Sequence, residues 1–507
     1  MKILEPQALS EWAAGARKAG KTIAHCHGVF DLLHPGHILH LQEAKELADL
    51  LVVTVTDDIY VNKGPGRPVI DAAGRAKMLE ALGIVDAVGI SYYPTGIQMI
   101  EAIRPNYYIK GPDYNNPSLD LTGNMQREID TVESFGGKVQ VTTGPTMSSS
   151  RIRNEMLLNG GDVASRFLSS FRAQVSESDV DQMFSKISSM KVLVLGEAII
   201  DTYESCEALG KSSKDPVLAF RKLGTESQLG GSLAIARHVA GMGAQTTLMT
   251  RVGAGDGTKA RLESEIGSEI DLVALESQDE PTLVKTRYVD VLTGNKVFET
   301  YQIGESRSSK RDSQTLVSVL SDVIDNFDLI LVADYGHGLL DESTIQLLAN
   351  RARKLSVNTQ SNAGNRGFNS ISKYPRLDMV CLNGGEVALE LRERHLSMEV
   401  LVPELLERTG AEIVAVTSGA NGLVLGLNGD AGKRVELVPA FSTTVKDRVG
   451  AGDALFAATS VSWVANPNPL LAAVLGNLAG AASIAELGNR IAIDRVSLHR
   501  HVSAMLK

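Results

Sequence analysis

Twice along this chain, apolar β-branched runs alternate with helical stretches, and that alternation limits what it can fold into. Between about Lys21 and Leu157 the runs TIAHCHGVF, LLVVTVTDD, DAVGISYY, YYIKGPDY and KVQVTTG interleave with helical patterns such as HILHLQEAKELADL and AAGRAKMLEAL. A second series opens at KVLVLGEAIID and continues through LILVADYG, LDMVCLNGGE and EIVAVTSGANGLVLG. Strand, helix, strand in that order needs crossover helices and predicts an α/β fold with parallel sheets. The first series is too short for two full mononucleotide-binding halves. Within the second, RYVDVLTGNKVFETYQI carries a Thr-Gly-Asn turn signal and predicts a small β appendage. A length of 507 residues allows two to four domains. The pattern predicts two, at residues 1–157 and 191–507, joined by a polar linker at 158–190 that holds a short helix near DVDQMFSKISS. No solenoid-type repeat is visible.

Charge and cysteine usage exclude several function classes. Net charge is −10, with 15 basic against 18 acidic residues through Leu157 and 35 against 42 beyond it. Both parts are mildly acidic, which argues against a nucleic-acid or anionic-membrane surface. No stretch approaches ~18 uninterrupted apolar residues, so no membrane span is expected. The N-terminal MKILEPQALSEWAAGARKAGK lacks an apolar signal core and reads as mature protein. Cys26, Cys206 and Cys381 are odd in number and widely spaced, which supports neither a zinc knuckle nor a disulfide framework. A reducing cytoplasm fits them best.

The first chemical signal is His27-Gly28-Val29-Phe30-Asp31-Leu32-Leu33-His34-Pro35-Gly36-His37, where a strand passes into a helix. Pro35 suits a helix start, Gly36 admits a ligand close to the backbone, and the helix N-terminus favours a phosphate. Two imidazoles three residues apart can donate to one anion and stabilise charge developing on an α-phosphate. A metal site or a structural His pair is the bland alternative. The string GxFDxxHxGH resembles the nucleotidyltransferase superfamily of cytidylyl- and adenylyltransferases, and further marks occur downstream in order. Lys63 in NKGPGRP, Arg75 opening the next helix, and Lys110 with Asp113 in KGPDY match family positions. Met147-Ser148-Ser149-Ser150-Arg151-Ile152 resembles the family's triphosphate loop. The resemblance implies catalysis by His34, His37 and Lys63. It also implies nucleotide binding by Gly28, Val29, Phe30, Arg75, Lys110, Asp113 and the Ser148–Arg151 loop.

The second signal is a hexapeptide, RVGAGD, present at Arg251–Asp256 and again at Arg448–Asp453. Glycines let an anion approach the backbone, and the Asp can serve as a base. The segment after each copy separates them. GTKARLESEIG after Asp256 is charged and reads as a surface helix, whereas ALFAATSVSWVA after Asp453 is small and apolar and reads as a buried one. The field of a buried helix N-terminus is the stronger, so catalysis is assigned to Asp453 with Gly450, Ala451 and Gly452. The Asp256 copy reads as a turn.

The string DRVGAGDALFAA, from Asp447, resembles the ribokinase/PfkB sugar kinases. Gly196 and Asp201 match that family's first-strand motif, Gly230-Gly231 its glycine pair and Asn383-Gly384-Gly385-Glu386 its NxxE. Thr417, Gly419 and Gly422 match its ATP loop. The resemblance implies sugar contacts from Asp201, Gly230, Gly231, Lys285 and Arg287. It implies ATP and anion-hole contacts from Asn383, Glu386, Thr417, Gly419, Gly422, Asp447, Gly450, Ala451 and Gly452. Mg²⁺ is expected near Glu386. Tyr335 and His337 in ADYGHG come after a strand and are candidates to line the cleft.

Together the two resemblances imply a small Rossmann-like nucleotidyltransferase domain and a larger ribokinase-like doubly wound domain with a small β lid. The pair resembles the bifunctional heptose 7-phosphate kinase/heptose 1-phosphate adenylyltransferases, which make ADP-heptose for lipopolysaccharide. ATP, a sugar phosphate and a homodimer are implied by that resemblance. The order of domains is reversed relative to the usual fusion. Ala234 stands where the family shows Asn, and Asn358–Asn369 replaces its DPKG segment. These departures leave two alternatives: a CTP-dependent cytidylyltransferase for glycerol phosphate or another polyol phosphate with an accessory kinase, or one active domain with the other a binding module.

Overall fold

The structure is a computed structural model that describes residues 3–61, 68–111, 124–142, 162–304, 309–365, 367–429, 432–441, 446–485 and 487–506, without the side chains of 162–165. Its contacts divide into two units, at residues 1–165 and 166–506.

In the first unit, strands β1 (Ile3–Leu4), β2 (Ile23–Gly28), β3 (Leu50–Thr56), β4 (Ala87–Ser91), β5 (Tyr107–Lys110) and β6 (Lys138–Val141) form one sheet. Its order is β1-β4-β3-β2-β5-β6, and every neighbouring pair is parallel. The order reverses between β2 and β5, which opens a crevice beyond their carboxyl ends. One side of the sheet buries Leu41, Ala44, Val53, Ala76 and Leu79, and another cluster gathers Leu9, Ala13, Ile23, Val52 and Met99. The N-terminal segment adds an edge strand and the helix Pro6–Lys18 to what the sequence led us to expect. That helix begins at proline and buries Leu9 and Ala13, one turn apart.

The second unit is built on nine strands. These are β7 (Lys191–Gly196), β10 (Gln245–Gly253), β11 (Ile270–Ser277), β14 (Leu329–Asp334), β15 (Leu355–Thr359), β16 (Met379–Asn383), β17 (Ile413–Thr417), β18 (Leu423–Gly429) and β19 (Gly432–Val438). They run in the order β11-β10-β7-β14-β15-β16-β17-β18-β19. Pairing is parallel from β11 to β17 and antiparallel from there to β19. Here the order reverses between β7 and β14. A separate sheet, β13-β12-β8-β9, holds β8 (Ala198–Lys211), β9 (Leu218–Gly231), β12 (Leu283–Asp290) and β13 (Lys296–Gln302). The lid is therefore four strands, twice the hairpin read from the sequence.

Residues 166–187 differ from the expected polar linker. Asp162–Gln174 and Glu177–Ile187 are helices that bury Phe171, Val180, Met183, Phe184 and Ile187. Arg172 donates to the Met505 carbonyl at 2.9 Å, and Ser503 donates to Glu177 at 2.7 Å. Their apolar side chains recur at helical spacing within a Ser- and Asp-rich composition, so composition alone misreads them as linker.

Candidate active sites

In the first unit β2 ends at Gly28, and the next residues turn sharply. Phe30 and Leu32 adopt left-handed backbone angles of φ 52° and 53°, a strain that requires support. Support comes from two buried groups. Asp31 accepts from the amides of Val69 and Ile70 at 3.0 and 3.2 Å. Arg75 donates to the carbonyls of Val29, Ile70 and Thr56 at 2.5, 2.8 and 2.9 Å and pairs with Asp58. Arg75 is 0% exposed. In this structure its guanidinium holds the turn together.

That turn delivers His34 as the cap of helix Pro35–Glu46, with His37 one turn inside. The two rings stack at 3.8 Å between centroids and 26° between planes, and Phe30 lies against His37 at 5.5 Å. His34 is buried and His37 half-buried. Lys110, at the end of β5 across the crevice, pairs with Glu128 at 2.6 Å. Beneath them His25 and His27 share the Thr54 hydroxyl at 2.8 Å each. Burial, with Lys110 nearby, holds His27 down to about 3, and burial keeps His25 well below its ordinary value. Both are neutral scaffold residues. Lys63, Asp113 and Ser148–Arg151 lie outside the described residues.

In the second unit the reversal between β7 and β14 gathers the expected kinase residues. Gly450 takes φ 84° and caps helix Ala451–Ala465, putting Ala451, Gly452 and Asp453 in its first turn, where backbone N–H groups lack helical partners. A Cβ on Gly450 would lie 1.9 Å from Asn489 Oδ1. From Ala454 to Ser462 every residue of this helix is buried. The Tyr335 hydroxyl donates to Asp453 Oδ1 at 2.8 Å. Burial is the main cause that raises the half-buried Asp453 carboxyl to about 7, with Asp201 and Glu386 adding to it and Tyr335 and Lys285 opposing.

The other copy of the hexapeptide differs in each respect. Asp256 accepts from the Thr258 amide at 2.9 Å and the Thr282 amide at 3.2 Å, and its carboxyl titrates below the ordinary range. It ties a turn to a neighbouring strand end, ahead of a helix that buries only Thr258 and Leu262.

Around Asp453, the lid strands supply Asp201 from β8 and Lys285 and Arg287 from β12. Lys285 pairs in register with Asp201, and Arg287 bonds the Asp201 carboxylate at 2.5 Å. Gly230 faces the same carboxylate so closely that a Cβ there would sit 2.0 Å from its oxygen. Glu386 and Asn383 cap each other, with amide contacts of 2.8 and 2.9 Å, and Glu386 also accepts from the Ser361 amide at 3.0 Å. Thr417 ends β17 beside Asn383, and Gly419 and Gly422 take φ 56° and 89° in the turn after it. Asp447 begins the loop that leads to Gly450. Its buried carboxylate accepts from Lys296 at 2.5 Å, from Tyr203 at 3.1 Å and from the Val449 and Gly488 amides at 3.2 Å each. It latches the lid to the anion-hole loop and has no oxygen left without a donor.

Sequence reasoning missed Glu197, which follows β7 beside Gly196, Tyr203 within β8, Lys296 at the start of β13 and Glu128 in the helix Asn124–Ser134. In the Asn358–Asn369 segment, Asn362 and Asn365 donate to the Tyr335 carbonyl at 2.7 and 3.1 Å, and Asn369 donates to the Asp334 carbonyl at 2.7 Å. Ala234 is buried in helix Ser232–Gly241.

Among the described residues no cluster of three or more His, Cys, Asp or Glu could hold a metal by itself. Glu386, at the start of the helix after β16, is a carboxylate of the type that shares Mg²⁺ with nucleotide phosphates. No described helix is long and apolar enough to cross a membrane.

Comparison with known proteins agrees with both halves. The pfkB family carbohydrate kinase model matches residues 189–495, and the cytidylyltransferase-like model matches residues 25–155. The bifunctional protein HldE of Geobacter metallireducens is 42% identical over 131 residues, 25% of each chain. That of Syntrophotalea carbinolica is 37% identical over 142 residues, 28% of each chain. Both matches lie over the cytidylyltransferase-like region, so the match spans about a quarter of the length of these curated relatives. Among solved structures, phosphofructokinase-2 from Escherichia coli aligns over 63% of this chain and all of its own, with TM-score 0.51 and 15% identity. Ribokinase from Thermotoga maritima aligns over 62% of this chain and 99% of its own, with TM-score 0.50 and 20% identity. Both likenesses describe fold.

Proposed function

The chain belongs to the pfkB family of carbohydrate kinases, and from that premise we propose that it is a bifunctional enzyme of nucleotide-activated sugar synthesis. Its kinase unit phosphorylates a sugar phosphate of the heptose 7-phosphate kind with ATP. Its transferase unit joins a sugar 1-phosphate to a nucleotide and releases pyrophosphate, giving an ADP-heptose-type product for lipopolysaccharide. The observation that carries the kinase reading is the placement of Asp453 in the first turn of a buried helix, bonded by the Tyr335 hydroxyl and facing Asp201 and Lys285.

Asp453 takes the proton of the attacking sugar hydroxyl. That oxygen bonds to the γ-phosphorus as the bond from phosphorus to the β–γ bridging oxygen breaks, and ADP leaves with the electron pair. The Ala451 and Gly452 amides balance charge on the transferring group. Asp201, fixed by Arg287, holds sugar hydroxyls, and the Thr417–Gly422 turn holds ATP. Mg²⁺ near Glu386 supplies further neutralisation of phosphate charge.

In the transferase unit His34 and His37 donate to the α-phosphate while a sugar phosphate oxygen attacks it and pyrophosphate departs. Lys63, Asp113 and Ser148–Arg151 balance the remaining triphosphate charge, as their motif positions imply. Lys110, paired with Glu128, closes the crevice opposite the histidines.

The enzyme works in a reducing cytoplasm, where Cys26, Cys206 and Cys381 stay free and buried. It pairs with a second copy through the lid, whose outer parts leave Leu209, Val217, Leu218 and Leu292 exposed by 56–80%.

A mass-spectrometric screen tests the substrate class. The protein is offered heptose 7-phosphate, heptose 1-phosphate and glycerol 3-phosphate, each with ATP or CTP. Phosphorylation of heptose 7-phosphate and adenylylation of heptose 1-phosphate are expected. Turnover only of glycerol 3-phosphate with CTP overturns the heptose reading.

A further inference from the structure

Tyr335 is gripped at every polar atom it has. Its amide donates to Glu197 Oε2 at 3.0 Å, and the His337 amide donates to the other oxygen of the same carboxylate at 3.0 Å. Its carbonyl accepts from the side chains of Asn362 and Asn365. Its hydroxyl reaches Asp453 Oδ1 at 2.8 Å. Tyr335 is 2% exposed and Glu197 3%. A side chain whose backbone is fixed on both sides has few ways to swing away from its acceptor. The anchor sits where β7 and β14 end side by side, at the reversal of the sheet.

We infer that Tyr335 is a positioning residue for phosphoryl transfer: anchored by Glu197, Asn362 and Asn365, it fixes one oxygen of Asp453 and leaves the other for the sugar hydroxyl. This rests on Asp453 being the base. It also explains the Asn-rich segment, which stands where the family's DPKG lies and lends its amides to this anchor. Without the phenol, the carboxylate is free to rotate and fewer encounters align it with the hydroxyl.

The test is Tyr335→Phe, read by kcat, by KM for ATP and by the pH profile of phosphorylation. Besides Tyr335, the charged or titratable groups facing Asp453 are Asp201 on β8, Lys285 on β12, Cys381 on β16 and Glu386 on the helix after β16. None of these changes in the variant. A donated hydrogen bond favours the carboxylate, so its loss raises the Asp453 pKa and moves the acid limb of the profile to higher pH. The expected result is a kcat at least ~10-fold lower, a nearly constant KM for ATP and that upward move. Wild-type kcat and acid limb in Tyr335→Phe, beside an inactive Asp453→Asn, overturn the positioning role alone. Activity retained by Asp453→Asn overturns the base reading with it. Melting temperature and ATP binding establish that the variants fold. If Tyr335→Phe does not fold, Glu197→Gln, which keeps the phenol but removes one anchoring acceptor, should show the same loss, and a wild-type profile there overturns the proposal.

Discussion

Asp256 and Asp453 end identical hexapeptides and have opposite chemistry. Two backbone amides tie up Asp256, and its carboxyl titrates low. One phenol touches Asp453, and burial pushes its carboxyl up to about 7. The difference was legible only in the helix after each copy, charged behind Asp256 and apolar behind Asp453. The pH dependence has a definite sign. A base works deprotonated, so phosphorylation kcat/KM should climb about tenfold per pH unit below about 7 and level off above it. A pH–rate profile whose acid limb lies near pH 4 would contradict this environment for Asp453. Arg75 and Asp447 teach the complementary lesson. Their motif positions were legible, but their direction was not. A motif names a residue type at a place on the chain, whereas its partners come from strands 19 to 244 residues away.

Elements were legible where periodicity was clean. The strands β2 to β6, the helices after β2 and β3, and the buried helix after Gly450 obey their patterns. The lid was half-seen because β8 and β9, fourteen residues each, project outward with mixed composition and little alternation. Within it Arg287 on β12 reaches Asp201 on β8, and Lys296 on β13 ties it to Asp447 in the anion-hole loop. The same outward projection leaves apolar side chains in water at the lid tips. Replacing Leu218 and Leu292 with Asp should convert a dimer to a monomer in sedimentation velocity while preserving the fold by circular dichroism. Sedimentation of the native chain as a monomer at micromolar concentration would contradict pairing through the lid.

At the scale of the whole molecule, each of the two main sheets reverses its strand order once, and His34 and His37 stand at one reversal and Asp453 at the other. His34 and His37 stand beyond β2, and Lys110 ends β5, the strand paired with it at the reversal. Glu197 and Tyr335 stand beyond β7 and β14, beside Asp453. Chain length admitted two to four domains; the fold has two units, and the residues first read as linker are mostly part of the second. The central claim is that one chain holds two chemically independent sites. It is tested by assaying both half-reactions in His37→Ala and Asp453→Asn. His37→Ala should lose nucleotidyl transfer by ~100-fold or more and keep phosphorylation, and Asp453→Asn should do the reverse. Loss of both reactions in either variant, with the fold intact, would contradict two separate sites.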